Sequence, residues 1–281
     1  MKNNSLRKAL KIPTIRGNQR LTPRPLSKAN YQPQFLTLQN HFILTIITFL
    51  ILFITFSNAD NKTTKKNVVL KTKDDVTIKG TIGLPDSVDG KLPAVILIHQ
   101  GGSDRTEWGG FFDKLLAENY VVFAYDVRGH GKSDKVEDIY PLFNNPNLAP
   151  KDLIASIYYL TTLPQVDSTR IAVVGSSIGS NLACVAVSAL GVKTAVAMSG
   201  KTSAVMNLLG NHPLKLKSVF HISSKGDQGG KRAIWAKELY EKTAEPRKLA
   251  IVEGSSAHGV GIFKDDSSLE NEILNWLKET L

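Results

Sequence analysis

Cysteine is nearly missing from this 281-residue chain: the single Cys184 cannot close an intrachain disulfide, so a disulfide-held scaffold is excluded. The same count excludes a zinc site built on cysteine pairs. Acidic residues are missing from positions 1–40, where eight Lys and Arg stand without one Asp or Glu. Taking those eight from the 35 Lys and Arg of the chain leaves 27 against 25 acidic residues, so the formal net charge of +10 belongs to the tail. A body this close to neutral offers no broad nucleic-acid surface. Long apolar runs are missing too, with one exception at Phe42–Phe56.

That run is uncharged over 15 residues, short of the roughly 20 that a membrane-spanning helix needs. Ser57-Asn58-Ala59 follows it, and small residues at Ser57 and Ala59 suit a signal peptidase. The expectation is export, periplasmic or secreted, with cleavage near Ala59; the alternative is an uncleaved anchor holding the folded domain outside the cytoplasm. Membrane contact is then expected only through residues 42–56, and only if they stay attached. Residues 1–40 carry Pro13, Pro23, Pro25 and Pro33 among basic and polar residues and read as a disordered extension. Residues 41–59 read as the signal peptide or anchor, 60–67 (DNKTTKKN) as a linker, and 68–281 as one folded domain.

Within that domain short β-branched runs alternate with helix-length amphipathic segments, the pattern of a mostly parallel sheet covered by helices. Strands are expected at 68–72, 76–83, 94–98, 121–125, 171–174, 194–198, 218–222 and 249–252. Helices are expected at 108–118, 151–161, 178–190, 230–243 and 267–280. In the last of these, Leu269, Ile273, Leu274, Trp276 and Leu277 share one helical face. The runs AVILI, VVFAY and IAVVG are apolar without alternation, as strands buried on both faces must be. Ligands of such sheets bind beyond the carboxyl ends of the strands.

The segment RIAVVGSSIGSNLACVAVSAL runs from strand to helix through Gly175-Ser176-Ser177-Ile178-Gly179. Glycines two residues either side of Ser177 let strand and helix approach while the hydroxyl stands exposed at the helix N-terminus. Ser176 has Val174 two residues before it and reads as a neighbour in the turn. Two further motifs stand in order: ILIHQGG at 96–102 after the third strand, and YDVRGHGKSD at 125–134 after the fourth. With these three motifs the chain resembles the α/β-hydrolase superfamily over residues 68–281, nearest its dienelactone-hydrolase-like and small serine esterase branches. The resemblance implies an α/β-hydrolase fold: a mostly parallel eight-stranded sheet with helices on both faces and a minimal cap.

It also implies a Ser-acid-His order of catalytic residues, with no cofactor and no metal. Ser177 is then the nucleophile; the dienelactone branch typically has cysteine there, so the serine points to an ordinary esterase mechanism through an acyl-serine intermediate. His258, in AIVEGSSAHG near the C-terminus, matches the general base, and Asp227, after SVFHI, matches the acid that holds the imidazole in one tautomer. His99 and His130 fall in structural turns, and His212 and His221 precede the acid. Asp265 and Asp266 follow His258 and break the order. The oxyanion donors expected are the N–H of Ile178 and that of Gly101, with Gly102 the near alternative. Asp126, Arg128, Gly129, His130 and Gly131 read as a structural network, and Met198, Cys184 and the aromatics of 108–125 as core and pocket lining.

The expected partner is a small-molecule acyl substrate, a carboxylic ester before a thioester or lactone. A serine peptidase, an acyltransferase and a non-catalytic membrane-tethered protein of the same fold are the alternatives. Only residues 199–217 separate the sixth and seventh strands, enough for one short helix near Thr202–Leu209. An open site taking short acyl groups follows, with Tyr140, Leu142 and Phe143 available as a substitute wall from the loop Lys132–Pro150.

Overall fold

A computed structural model describes residues 63–86 and 90–281. The extension, the Phe42–Phe56 run and the Ala59 site lie outside the described residues. Eight strands form one sheet in the order β1-β2-β4-β3-β5-β6-β7-β8. They are β1 (Thr63–Lys71), β2 (Thr77–Pro85), β3 (Leu92–Ile98), β4 (Val121–Tyr125), β5 (Val166–Ser176), β6 (Thr194–Met198), β7 (Leu216–Ser224) and β8 (Thr243–Val252). Strand β2 runs antiparallel to β1 and β4, and all other pairings are parallel. This is the expected fold class.

The interior strands β3, β4 and β6 are apolar and almost wholly buried because helices cover both faces. One face packs against α2 (Ala149–Thr162) and α3 (Ile178–Ala189), the other against α1 (Gly109–Ala117) and α7 (Leu269–Thr280). Leu269, Ile273, Leu274, Trp276 and Leu277 are all buried, as their spacing predicts. Burying a side chain of that size contributes about 1.5–3 kcal/mol. The Trp276 indole N–H also donates to Thr194 Oγ1 at 3.0 Å, which sets the depth of α7 against β6. Three further α-helices are α4 (Thr202–Leu209), α5 (Lys231–Glu241) and α6 (Ile262–Asp265).

The edge strands depart from expectation. Residues 63–67, expected as linker, are the first half of β1, paired from Thr63 opposite Pro85. The folded domain thus begins before Val68. Likewise β8 starts at Thr243, six residues before Leu249, with TAEPRK as its polar first part. Both lie at the sheet's edges, where lysines and other polar residues are compatible with pairing on one side and discourage it on the other. Strand β5 starts at Val166 because Leu92 and Val166 extend its ladder with β3 beyond the apolar run. The aromatics Trp108, Phe111, Phe112, Tyr120, Phe123 and Tyr125 are core, and none of them lines the cavity at Ser177.

Candidate active site

The carboxyl end of β5 turns into α3 at Ser177, whose φ of 53° and ψ of −104° are strained for a residue with a side chain. Sterics enforce the flanking glycines: a Cβ on Gly175 would lie 2.0 Å from the Gly179 carbonyl oxygen, and one on Gly179 would lie 2.1 Å from that of Ile98. The Ser177 N–H donates to Met198 O at 2.8 Å, which ties the elbow to the end of β6.

Asp227 follows β7 and His258 follows β8, and the two loops are laced together. Gly226 N–H donates to Ser255 O at 2.8 Å, and Ser224 Oγ lies 2.9 Å from Ser255 Oγ. His258 Nδ1 is 2.8 Å from Asp227 Oδ2 and 3.0 Å from Oδ1. A carboxylate on Nδ1 selects the Nδ1–H tautomer and leaves Nε2 as the basic atom. Ser199, just past β6, donates from Oγ to Asp227 Oδ2 at 2.7 Å and accepts the Gly259 N–H at 3.0 Å. The next N–H, of Val260, donates to Ser176 Oγ at 3.2 Å, so the His258 loop is fastened to the residue before Ser177. Gly259 is required there, since φ is +56° and a Cβ would lie 2.0 Å from Ser176 Oγ. Asp227 and His258 are therefore in contact. The Ser177 hydroxyl makes no hydrogen bond to His258, and Asp265 is turned away to Ser255.

The backbone N–H groups of Gly101, Gly102 and Ile178 have no partner among the described residues. A Cβ on Gly101 would lie 2.8 Å from Phe143, which shares a cavity with Ser177, whereas one on Gly102 would meet nothing within 4 Å. Gly101 is thus the glycine packed against Phe143. Its loop is shaped by Glu107, whose Oε1 accepts the Gln100 N–H at 2.9 Å. Burial pushes the Glu107 carboxyl up to about 7, against the opposing effect of its hydrogen bonds. His99 is buried below the loop, accepting Val127 N–H on Nε2 at 2.9 Å and donating from Nδ1 to Gln100 O at 2.7 Å. Burial drives its pKa down to about 4, which keeps it neutral and structural.

The cavity above Ser177 holds about 350 Å³. One wall is Tyr140 and Phe143, from the loop expected to supply it; Leu142 instead points into the core and is fully buried. The opposite wall comes from α4, at the expected Thr202–Leu209, together with Asn181, Lys201 and Arg232. Sequence reasoning missed Ser199, Lys201 and Arg232. None sits in a motif, and the one available signal was the position of Ser199 at the end of a buried strand. Asp126, Arg128 and their neighbours form the structural network expected of them. Among the described residues no three His, Cys, Asp or Glu converge to hold a metal ion.

The family model for the α/β-hydrolase fold matches residues 93–226. The esterase Pf2001 of Pyrococcus furiosus superposes with a TM-score of 0.60 at 24% identity, covering 79% of this chain and 94% of that one. The acetyl xylan esterase of Paenibacillus sp. R4 superposes at 0.61 with 16% identity, covering 80% and 86%. In sequence, YcjY of Escherichia coli K12 is 31% identical over 130 residues, 45% of this chain and 38% of that protein. The chain spans between a quarter and two fifths of the length of the curated relatives it matches. With the sheet order and the elbow, these similarities show the α/β-hydrolase fold. They assign no branch within it, the dienelactone-hydrolase-like one included.

Proposed function

We propose that this protein is a serine hydrolase acting on short carboxylic esters through an acyl-Ser177 intermediate. The observation that carries the reading is the Asp227–His258 pair, whose loop is fastened to the elbow that presents Ser177 to a small cavity. A serine hydroxyl is a weak nucleophile near neutrality and needs a base at hand. In the proposed reaction His258 Nε2 takes the proton as Ser177 Oγ attacks the acyl carbon. The ester carbonyl oxygen becomes an oxyanion held by the N–H groups of Ile178 and Gly101. Collapse breaks the bond to the alkoxy group, which leaves as alcohol with the proton from His258. Water, activated by the same imidazole, then releases the acid and frees Ser177. Asp227 keeps the ring oriented and stabilises the transient imidazolium.

A cavity of about 350 Å³ lies at the lower end of small-molecule sites and, walled by Tyr140 and Phe143 with only the short α4 opposite, suits a short acyl group. The esterase named above for Pyrococcus furiosus is consistent with this chemistry without specifying a substrate. Covalent labelling of the full chain by a fluorophosphonate, lost in Ser177→Ala, tests the nucleophile. Hydrolysis of p-nitrophenyl acetate, butyrate, octanoate and palmitate tests the substrate class. A steep rise in kcat/KM towards palmitate would overturn the short-acyl reading, and absent labelling would overturn the serine mechanism. Export, with cleavage after Ala59 or retention of residues 42–56 as an anchor, is proposed from the sequence alone; N-terminal sequencing of the mature protein distinguishes the two.

A further inference from the structure

We propose that the Ser177 cavity binds a carboxylate carried by the substrate, so that the preferred esters are half-esters of short dicarboxylic acids. This rests on the acyl-Ser177 reading and adds a substrate class to it. The cavity lining includes Lys201 and Arg232 and no Asp or Glu. Neither cation forms an ion pair with a described residue. Arg232 is only 9% exposed. One of its donors, Nη1, is satisfied by Ser199 O at 2.7 Å, while Nε is buried without a partner. A buried guanidinium left in that state is costly, and an anion in the cavity offsets the cost.

The two cations also share one aromatic partner. The Lys201 ammonium and the Arg232 guanidinium both lie 5.4 Å from the Trp235 ring centroid, an arrangement that brings like charges to one ring. Lys201 is fixed at its backbone, whose N–H donates to Asn181 Oδ1 at 2.9 Å. Carboxylates around the cavity are committed elsewhere: Asp227 to His258 and Ser199, Glu238 to the Thr202 hydroxyl at 2.7 Å. The start of α4 adds to the field. Its first helical bond is Val205 N–H to Lys201 O, and no side chain caps it. The N–H groups of Ser203 and Ala204, two lining residues, are therefore free of helical partners. Arg232 offers the planar donor set that carboxylates match, and the apolar wall of Tyr140 and Phe143 suits the methylene stem.

The test compares mono-4-nitrophenyl glutarate with 4-nitrophenyl valerate on the full chain, two esters of equal acyl length that differ by one charge. The expected kcat/KM ratio favours the glutarate by about 10- to 100-fold at low salt, the span of one or two charge-assisted hydrogen bonds. It falls towards 1 with 500 mM NaCl and in Lys201→Gln and Arg232→Gln. A wild-type ratio of 1 or less, or a ratio unmoved by both substitutions, overturns the proposal. Calorimetric titration of the Ser177→Ala chain with glutarate reads the subsite without turnover. Saturable binding weakened by Lys201→Gln supports it, and no binding overturns it. If neither ester is cleaved and Ser177 resists labelling, the hydrolase reading falls while the titration still decides the subsite.

Discussion

Two groups of charged residues sit beyond the carboxyl ends of the same sheet and are treated in opposite ways. After β4, Asp126 accepts the Arg105 guanidinium, the Arg105 N–H at 2.9 Å and the Lys132 N–H at 2.7 Å. Arg128, almost fully buried, is met by Asp152 at 2.8 Å on Nε and by Asp74 at 2.8 Å on Nη1. Burial opposes its charge, yet the bonds to Asp74 and Asp152 outweigh that and hold its pKa above the usual value. After β6 and β7, Lys201 and Arg232 have no such acids among the described residues. The first group is closed on itself and sets the sheet's edge. The second is unfinished and faces a cavity, which separates a structural cluster from one with donors left over for a ligand.

The largest way to break this contrast is Ser177→Ala. We expect turnover of short esters to fall by about 10⁴- to 10⁶-fold with little change in melting temperature, since the elbow hydroxyl makes no hydrogen bond to a described residue. His258→Ala should match it, and the double variant should lose little more, because the members act as a unit; additive losses in steady-state kinetics would refute the arrangement. Asp227→Asn should cost about 10²- to 10⁴-fold, through the wrong imidazole tautomer, while leaving the Arg128 cluster intact.

On the closed side, Asp152→Ala leaves Asp74 as the one acid on the Arg128 guanidinium and frees its buried Nε, and urea unfolding should show about 1–3 kcal/mol of lost stability. The same variant, assayed where it remains folded, should keep its rate per active site. A loss of rate without loss of stability would mean that the network reaches into the chemistry.

The smallest effect sharpens the comparison at Glu107, a buried carboxyl with no cation at all. Its pKa in the folded state is raised to about 7 from 4.5, so ionisation costs stability. The cost is absent below about pH 4.5, grows as pH rises, and is complete above about 7. Glu107→Gln keeps an acceptor for the Gln100 N–H and should therefore gain about 1–3 kcal/mol over wild type at pH 8 and nothing near pH 4.5. His99 and His221, with pKa values driven down by burial to about 4 and about 3, act in the opposite sense. Their stability is full above about 6.5 and is lost as pH falls through that window. Equal gains for Glu107→Gln at both pH values in thermal melts would show that the carboxyl is not titrating there.

Patterns of short range were legible. The apolar runs of β3, β4 and β6, the amphipathic spacing of α7 and the elbow at Ser177 each record a local requirement: burial on two faces, burial on one, and a turn too tight for Cβ atoms. Edge strands β1 and β8 were shortened in the sequence reading because their solvent-facing lysines and glutamates mask pairing with a single neighbour. Leu142 shows the same limit within one loop, since nothing in YPLF tells which side chain turns to the core and which two line the cavity.

The Ser177 elbow and the pairing of Asp227 with His258 were thus foreshadowed by a motif and an order along the chain, because the elbow's sterics and the ends of parallel strands confine where such residues stand. Folding alone decided that Ser199 would bridge Asp227 to the peptide after His258, and that Lys201 and Arg232 would share one indole beside Ser177 without an acid. Arg232 and Trp235 are neighbours on α5, but the Ser199 contacts join residues 28 and 60 positions apart and Lys201 meets Trp235 across 34. Their partners are chosen by how the loops pack at the sheet's edge, a relation that no local spacing encodes.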